Sequence, residues 1–214
     1  MAPPLLEVTG LSCRRGGRLV FDGLSFALGP GDLLALTGRN GSGKTSLLRA
    51  LAGLTPVHAG MIAWQGKNVA EDPEAWRGRL AWLGHLEGLK GDLTVLENLV
   101  FAERLRGGEP GDRLEWALVA FDLNALSARE VRTLSAGQRR RTALARIVLS
   151  QAPLWLLDEP LNALDATAQA ALRTALQAHL AAGGLVIAAT HVELGIPGPQ
   201  RLDLRGGTPA ERAA

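Results

Sequence analysis

Short apolar runs alternate with helical spacing along most of the chain. Residues 33–37, 154–157 and 185–189 are almost entirely apolar, which is typical of strands buried on both faces of a parallel sheet. Residues 45–54, 136–149 and 166–182 have the pattern of helices, with apolar side chains three and four positions apart. Strands that alternate with helices predict an α/β fold with a mostly parallel sheet.

Two regions depart from this alternation. Residues 5–37 read as successive strands, with a turn at 29–32. Residues 86 to 150 are mainly helical, with helices predicted over 93–105 and 114–126 and a loop at 107–111 between them. Because strands resume at 154, we interpret this helical part as an insertion into one domain spanning 1–214. A short strand at 201–205 and a turn at Gly206-Gly207 are predicted to follow.

Composition excludes several classes of protein. The 214 residues include 23 Lys and Arg against 21 Asp and Glu, a net charge of +2, and 47% are apolar, so the chain is not predominantly disordered. The small net charge does not favour a nucleic-acid partner. Cys13 is the only cysteine in the sequence, which excludes a disulfide framework. No apolar run reaches the ~18 residues of a membrane span, and the N-terminus lacks the pattern of a secretory signal. We therefore expect any membrane attachment to come through another subunit.

A phosphate-binding loop is the first chemical motif. The segment from Gly38 to Thr45 fits G-x-x-x-x-G-K-[ST] and lies between a predicted strand and a predicted helix, as this motif requires. Glycines let the backbone wrap around phosphate, and the helix N-terminus favours the negative charge. The predicted nucleotide-binding residues are Gly38, Asn40, Gly41, Ser42, Gly43, Lys44, Thr45 and Ser46. Lys44 would reach the β- and γ-phosphates and Thr45 would ligate Mg²⁺. The alternative is a chance glycine-rich turn.

Two carboxylates end the second apolar strand. Asp158 is placed to hold Mg²⁺ near the phosphates, and Glu159 to orient or deprotonate the attacking water. On its own, the Asp158-Glu159 pair could equally be an acidic strand end that caps a helix.

A third segment, Leu134-Ser135-Ala136-Gly137-Gln138, begins a predicted helix. Alone it could be an ordinary N-cap, with Ser135 or Thr133 as the capping residue. Placed after the phosphate loop and before Asp158, it resembles the signature of the nucleotide-binding subunits of ABC transporters, which begins L-S-G-G-Q. Ala136 replaces the first of the two glycines.

The resemblance spans essentially the whole chain and implies the fold. It implies a P-loop NTPase of the ABC type, with ATP and Mg²⁺ as cofactors. Residues 1–84 and 151–214 would form a RecA-like core with an antiparallel β subdomain, and about 86–150 an inserted helical subdomain.

The resemblance also implies an assembly of two copies, packed head to tail around ATP. One copy would supply Lys44, Glu159 and His191, the last as the switch histidine at the γ-phosphate. The other would supply signature residues Ser135, Gly137 and Gln138. Asn162 to Asp165 match the loop that crosses the interface between the copies. Three arginines, Arg139-Arg140-Arg141, follow the signature, and we interpret them as a solvated helix face rather than as site residues.

Two positions depart from the family pattern. The family usually has an aromatic residue that stacks on adenine where this chain has Arg15. The guanidinium of Arg15 could stack instead, and the alternative is weaker selectivity for the base. The family usually has a glutamine that bridges Mg²⁺, water and the membrane subunit where this chain has His85. Because imidazole titrates near neutral pH, we expect His85 to make activity sensitive to pH.

The segment Gly84-His85-Leu86-Glu87-Gly88-Leu89-Lys90 resembles one branch of the family, the ATP-binding subunit of the haem exporter of cytochrome c maturation. That resemblance implies integral membrane subunits as partners, a haem chaperone as an indirect partner, and a peripheral position on the cytoplasmic face of the bacterial inner membrane. The alternative is the ATPase subunit of an ABC transporter for another substrate. We expect no haem on this chain, because it has no C-x-x-C-H motif and His58 and His179 read as surface residues.

Overall fold

The computed structural model describes residues 4–105, 107–108 and 111–204. A parallel sheet lies at its centre, with strand order β6-β7-β8-β3-β9 within that described part. These strands are β3 (Leu33–Thr37), β6 (Leu80–Leu83), β7 (Leu154–Asp158), β8 (Leu185–Ala189) and β9 (Gln200–Asp203). The three strands predicted from apolar runs, β3, β7 and β8, are thus neighbours in the sheet, and all their pairings are parallel.

A second sheet is antiparallel, with order β2-β1-β4-β5 in the described chain. Its strands are β1 (Leu6–Arg15), β2 (Arg18–Leu28), β4 (Ala59–Trp64) and β5 (Lys67–Asn68). β1 and β2 form a hairpin that closes at Arg15 and Arg18. This sheet and the parallel sheet together confirm the expected combination of a parallel core with an antiparallel β layer.

Six α-helices complete the described part of the fold. They are α1 (Lys44–Leu51), α2 (Pro73–Gly78), α3 (Val95–Arg104), α4 (Asp112–Ala120), α5 (Ala136–Leu149) and α6 (Ala166–Ala181). α3 packs against α5, as does α4, and α5 also lies against β6 and α6. The helices predicted around 45–54, 93–105, 136–149 and 166–182 are all present.

The parallel sheet is covered on both faces. In β7, Leu154 and Leu156 face the core shared with α1 and the antiparallel sheet, and Trp155 and Leu157 face the core formed with the helices α3 to α6. Since successive side chains of a strand point to opposite faces, an uninterrupted apolar run is what burial on both sides requires.

The hydrophobic pattern did not predict some elements, and it predicted one helix to be longer than it is. No element was assigned to residues 59–83, where the structure has β4, β5, α2 and β6. The helix predicted over 114–126 ends at Ala120, and a short 3₁₀ turn at Asn124–Leu126 follows Asp122, whose φ is +50°. The strand predicted at 201–205 corresponds to β9, which ends at Asp203. Arg205, the last residue of the prediction, and the predicted turn at Gly206-Gly207 lie outside the described residues. Among the helices of the described chain, none has the length and apolar character needed to cross a bilayer.

Candidate active site

The phosphate loop joins β3 to α1, which begins at Lys44. Gly38 and Gly43 have φ values of +134° and +103°, which side chains of L residues rarely permit. A Cβ on Gly38 would collide with the carbonyl oxygen of Leu204, and a Cβ on Gly43 would lie 2.8 Å from Val20 Cγ1. Both positions therefore require glycine, and the bare backbone is open to close approach by a ligand.

Lys44 and Ser42 place polar atoms inside this loop. Lys44 is only 7% exposed, and its Nζ donates to the carbonyl oxygens of Gly38 at 2.7 Å and Arg39 at 3.2 Å. Since an ammonium group has three donors, one remains for a ligand. Ser42 Oγ is buried and has no hydrogen-bond partner among the described residues. An unpaired buried hydroxyl is unfavourable, so the loop is suited to a ligand rich in acceptor oxygens, as a phosphate group is.

Thr45 and Asp158 meet beside the loop. Thr45 Oγ1 donates to Asp158 Oδ2 at 2.8 Å, although 113 residues separate them in sequence. Asp158 ends β7 and is 8% exposed. Hydroxyl and carboxylate oxygens are ligands that Mg²⁺ accepts, usually together with phosphate oxygens and water. Among the described residues, no group of three or more His, Cys, Asp or Glu side chains is placed to hold a metal ion. Thr45 and Asp158 supply two oxygen ligands, which suits a cation that also binds phosphate oxygens.

Glu159, His191 and Asn40 form a second polar group. His191 Nε2 lies 3.3 Å from Glu159 Oε1 and 3.0 Å from Asn40 Oδ1. Glu159 follows β7, His191 lies after β8, and Asn40 belongs to the phosphate loop after β3. These strands are neighbours and parallel, so their carboxyl ends bring the three residues together. Glu159 has φ +47°, an uncommon backbone conformation for a residue other than glycine.

Both groups line one cavity of about 1020 Å³. The predicted site residues on its walls are Arg15, Asn40, Gly41, Gly43, Lys44, Thr45, Ser46, His85, Asp158, Glu159 and His191. Gly38 and Ser42 lie in the same loop but are not on the wall. The cavity therefore brings together almost all of the residues predicted for the phosphate, metal and water positions.

Arg15 and His85 line parts of the cavity wall that come from different sheets. Arg15 ends β1 and, with Arg18, Leu19 and Val20 of β2, forms the wall contributed by the antiparallel sheet. His85 follows β6 and is exposed. The position predicted for adenine contact thus belongs to one sheet, and the phosphate and metal positions to the other.

The signature residues lie at the start of α5. Ser135 is its N-cap: Ser135 Oγ accepts from Gln138 N at 3.2 Å, and Gln138 Oε1 accepts from Ser135 N at 2.9 Å. This reciprocal pair is a capping box. Of the signature, only Ala136 is among the residues that line the cavity. The structure thus holds Ser135, Gly137 and Gln138 together beside the cavity of their own chain, but not on its wall.

The prediction that Arg139-Arg140-Arg141 form a solvated helix face is wrong. Arg140 is 6% exposed, and it donates to the carbonyl oxygens of Gly84 at 3.1 Å, Asp158 at 2.7 Å and Glu159 at 2.5 Å. Burial lowers the pKa of this guanidinium, and the neighbouring carboxylates of Glu87, Asp158 and Glu159 oppose that shift. The flanking arginines are partly buried and pair elsewhere, with Leu134 O and Asp122 Oδ2.

A helical pattern could have revealed Arg140. It precedes Ala143, Leu144 and Ile147 at spacings of three, four and seven, and all of them are buried in α5. These spacings place Arg140 on the buried face. A charged residue on that face needs buried acceptors, and the three carbonyl oxygens supply them.

Cys13 is fully buried in β1. Two further expectations concern single histidines. His58 is exposed, as predicted, but His179 is not a simple surface residue. Its ring stacks on Trp155 with centroids 4.0 Å apart and an interplanar angle of 10°.

Comparison with known proteins places this geometry in a family. Residues 21–162 match the family model described as ABC transporter. The cytochrome c biogenesis ATP-binding export protein CcmA of Paramagnetospirillum magneticum is 46% identical over 207 residues, which are 95% of each chain. The protein of the same name from Cupriavidus necator is 48% identical over 94% of this chain and 89% of its own.

Solved structures have the same fold. The ATP-binding subunit of an ABC transporter superposes with a TM-score of 0.79 and 28% identity, over 87% of this chain and 80% of that one. An ATP-binding protein from Pyrococcus furiosus, described as a putative ABC transporter, gives a TM-score of 0.80 over 93% of this chain and 96% of its own. At 24% identity, the second comparison concerns the fold alone.

Proposed function

Because the chain belongs to the ABC transporter family as an ATP-binding subunit, we propose that it hydrolyses ATP for the export step of cytochrome c biogenesis. The observation that carries the ATPase assignment is the convergence of two polar pairs on one cavity. Thr45 and Asp158 form one pair and Glu159 and His191 the other. The near full-length identity to CcmA proteins supports the biological role.

The phosphate loop binds the nucleotide. Backbone N–H groups of the loop and the third donor of Lys44 contact the phosphates, and Ser42 Oγ gains an acceptor. Asn40, Gly41 and Ser46 complete the contacts. Mg²⁺ would neutralise negative charge on the phosphates. Thr45 and Asp158 would hold it, and His85, which lines the same cavity, would be a further ligand.

Glu159 and His191 act on the attacking water. Glu159 accepts a proton from water as the oxygen bonds to the γ-phosphorus, and the bond from that phosphorus to the β–γ bridging oxygen breaks. ADP and phosphate are the products. His191 holds the Glu159 carboxylate through Nε2 and presents its ring to the γ-phosphate. Arg15 contacts the base from the antiparallel sheet.

The complete site needs a second copy of the chain. Ser135, Gly137 and Gln138 are outside their own cavity, and the start of α5 is a helix N-terminus that favours anions. In a head-to-tail pair, this end contacts the ATP of the partner subunit. ATP then binds the closed pair better than the open chains, and hydrolysis releases the pair.

Membrane partners follow from the proposed role. The closing and opening of the pair change the conformation of the integral membrane subunits of a haem exporter. A haem chaperone interacts with those subunits and is thus an indirect partner of this chain. The chain would therefore lie peripherally on the cytoplasmic face of the bacterial inner membrane. Exposed Leu86, at 85% accessibility and next to His85, is suited to contact such a subunit.

Replacing Glu159 with glutamine tests the proposal. The Glu159→Gln variant keeps the shape of the side chain but cannot accept a proton, so ATP turnover should fall by about 100-fold or more. ATP binding should persist, and ATP should hold the purified variant as a dimer in size-exclusion chromatography. Glu193→Gln is the matched control, because Glu193 is exposed and pairs only with Arg201 among the described residues. Normal turnover by the Glu159→Gln variant would remove Glu159 from the proposed role.

The same variant in its native host tests the biological assignment. Covalent haem in c-type cytochromes should be lost, and haem-loaded periplasmic chaperone should accumulate, which would place ATP hydrolysis at the release step. If c-type cytochromes stay at wild-type levels while ATP turnover is lost, the chain serves an ABC transporter for another substrate.

A further inference from the structure

A single buried guanidinium joins the two loops that carry the proposed hydrolytic groups. Arg140 Nη2 donates to the carbonyl oxygens of Asp158 and Glu159, and its Nη1 donates to that of Gly84. Gly84 immediately precedes His85, and its carbonyl follows the end of β6. One side chain therefore links the carboxyl ends of β6 and β7, beside the cavity that Arg140 itself lines.

The backbone that Arg140 holds is an unusual one. Glu159 has φ +47°, a conformation that is unfavourable for an L residue and persists only where its surroundings fix it. The Glu159 N–H donates to Ala189 O at 2.9 Å, and its carbonyl oxygen accepts from Arg140. The peptide groups on both sides of the Glu159 Cα are thus anchored, and they fix the direction of its Cα–Cβ bond.

We propose that Arg140 is a positioning residue for ATP hydrolysis, which orients Glu159 for attack by water and fixes the His85 loop relative to it. This inference rests on the proposed ATPase function. Arg140 acts without touching ATP or water, because the bonds that carry its role run from Nη1 and Nη2 to three carbonyl oxygens. Its effect on the reaction passes through the Glu159 backbone.

A lysine side chain cannot replace Arg140 in this role. The guanidinium presents its donors in a planar fork, and an ammonium group is a compact point charge. The Arg140→Lys variant could keep the positive charge in the buried site but could not hold Gly84, Asp158 and Glu159 in the same arrangement. The reacting geometry would loosen while the phosphate loop, which contains none of these residues, stays intact.

The test compares matched lysine variants of the full chain, assayed for ATP hydrolysis. Arg140→Lys should lower kcat by about 10- to 100-fold, as expected for a small misplacement of a reacting group, with KM for ATP within about twofold of wild type. Arg141→Lys is the control, because it lies on the same helix and pairs with Asp122, outside the cavity. Its kcat should stay near that of wild type.

Chemical rescue gives a readout that general destabilisation would not change. Arg140 lines an open cavity, so guanidinium ion at millimolar concentration can reach the space left in Arg140→Ala. We expect guanidinium to restore part of kcat to Arg140→Ala, and to leave Arg141→Ala unchanged. If Arg140→Ala does not fold, as circular dichroism would reveal, the lysine pair decides the matter.

The outcomes separate this inference from the proposed function. Equal loss of kcat in Arg140→Lys and Arg141→Lys, an unchanged kcat in Arg140→Lys, or a rise in KM with kcat preserved would each overturn the positioning role. Absence of ATP hydrolysis in the wild-type chain with its copurifying membrane subunits would overturn the proposed function instead.

Discussion

Gly38 shows how strictly the phosphate loop constrains a single position. Its φ of +134° belongs to a region that is essentially restricted to glycine, and a Cβ would meet both Leu204 O and Ser42 Oγ. Gly41 also has a positive φ, +81°, but an added Cβ would have nothing within 4 Å. A side chain at Gly41 would therefore cause backbone strain alone, whereas a side chain at Gly38 would cause both strain and a steric collision.

Gly38→Ala should be much more damaging than Gly41→Ala. We expect Gly38→Ala to destabilise the chain by about 3 kcal/mol and to abolish ATP binding, and Gly41→Ala to cost about 1–2 kcal/mol from strain alone. Urea unfolding and titration with a fluorescent ATP analogue measure the two effects. Similar losses in both variants would contradict the role assigned to the contact with Leu204.

Individual site residues were predictable where chemistry fixes their spacing. The loop from Gly38 to Thr45 and the carboxylates Asp158 and Glu159 follow buried strands, and the structure brings them to one cavity. Arg140 was missed because a run of three arginines resembles a charged surface. Its buried position depends on carbonyl oxygens of Gly84 and Asp158, which are distant in sequence and are brought near it only by the pairing of β6 with β7.

Two helices of the described chain, α3 and α5, begin with a capping box. Thr94 caps α3 in a capping box with Glu97, as Ser135 caps α5 with Gln138. Hydrogen bonds from the N–H and hydroxyl of Thr94 lower the pKa of the Glu97 carboxyl. The two caps share the reciprocal pair of bonds, but the Thr94 hydroxyl also donates to Glu97 Oε2 at 2.9 Å. Only the second cap lies in the proposed signature.

Replacing each capping residue with alanine should separate stability from activity. Thr94→Ala and Ser135→Ala should each lower the free energy of unfolding by about 1 kcal/mol. Ser135→Ala should in addition lose ATP turnover, because the Ser135 hydroxyl keeps its own hydrogen to donate to the partner's ATP. Chemical denaturation and a steady-state ATPase assay provide the measurements. Equal ATPase activity in the two variants would confine Ser135 to capping.

Long buried elements were predicted better than short ones. The apolar runs of β7 and β8 and the spacing in α5 and α6 reflect burial on a whole face, so each gives a strong local pattern. By contrast, β5 has two residues and α2 has six. The pairing of β4 with β1 and of β6 with β7 stabilises those strands, and such long-range contacts leave little periodicity in the sequence.

Protonation of His179 links the stability of the whole chain to pH. Burial lowers the pKa of His179, whose Nε2 lies 3.2 Å from Leu185 O, while Asp112 and Arg113 line the cavity at its side. The unfolded imidazole has a pKa of about 6.5, so the folded state binds fewer protons in the window between the lowered pKa and 6.5. Stability should therefore fall as the pH drops through that window, and level off below it.

The pH dependence can be assigned by comparing two histidines. Urea unfolding at about pH 7 and about pH 5.5 should show a larger difference for wild type than for His179→Asn. His58→Asn is the control, since His58 is exposed, and this variant should keep the wild-type difference. A His179→Asn variant with the full pH dependence would assign the effect to other groups.

The division of the cavity between two sheets has an evolutionary consequence. Residues at the phosphate end belong to loops of the parallel sheet, whereas Arg15 and its neighbours belong to the hairpin of the antiparallel one. We expect substitutions of Arg15 to change which base is preferred and to spare the groups that cleave the phosphate bond, whereas Val20 of the same hairpin lies close to Gly43 of the phosphate loop. If Arg15 contacts the base as proposed, nucleotide preference and catalytic competence are separable at that position, and selection can adjust one while it preserves the other.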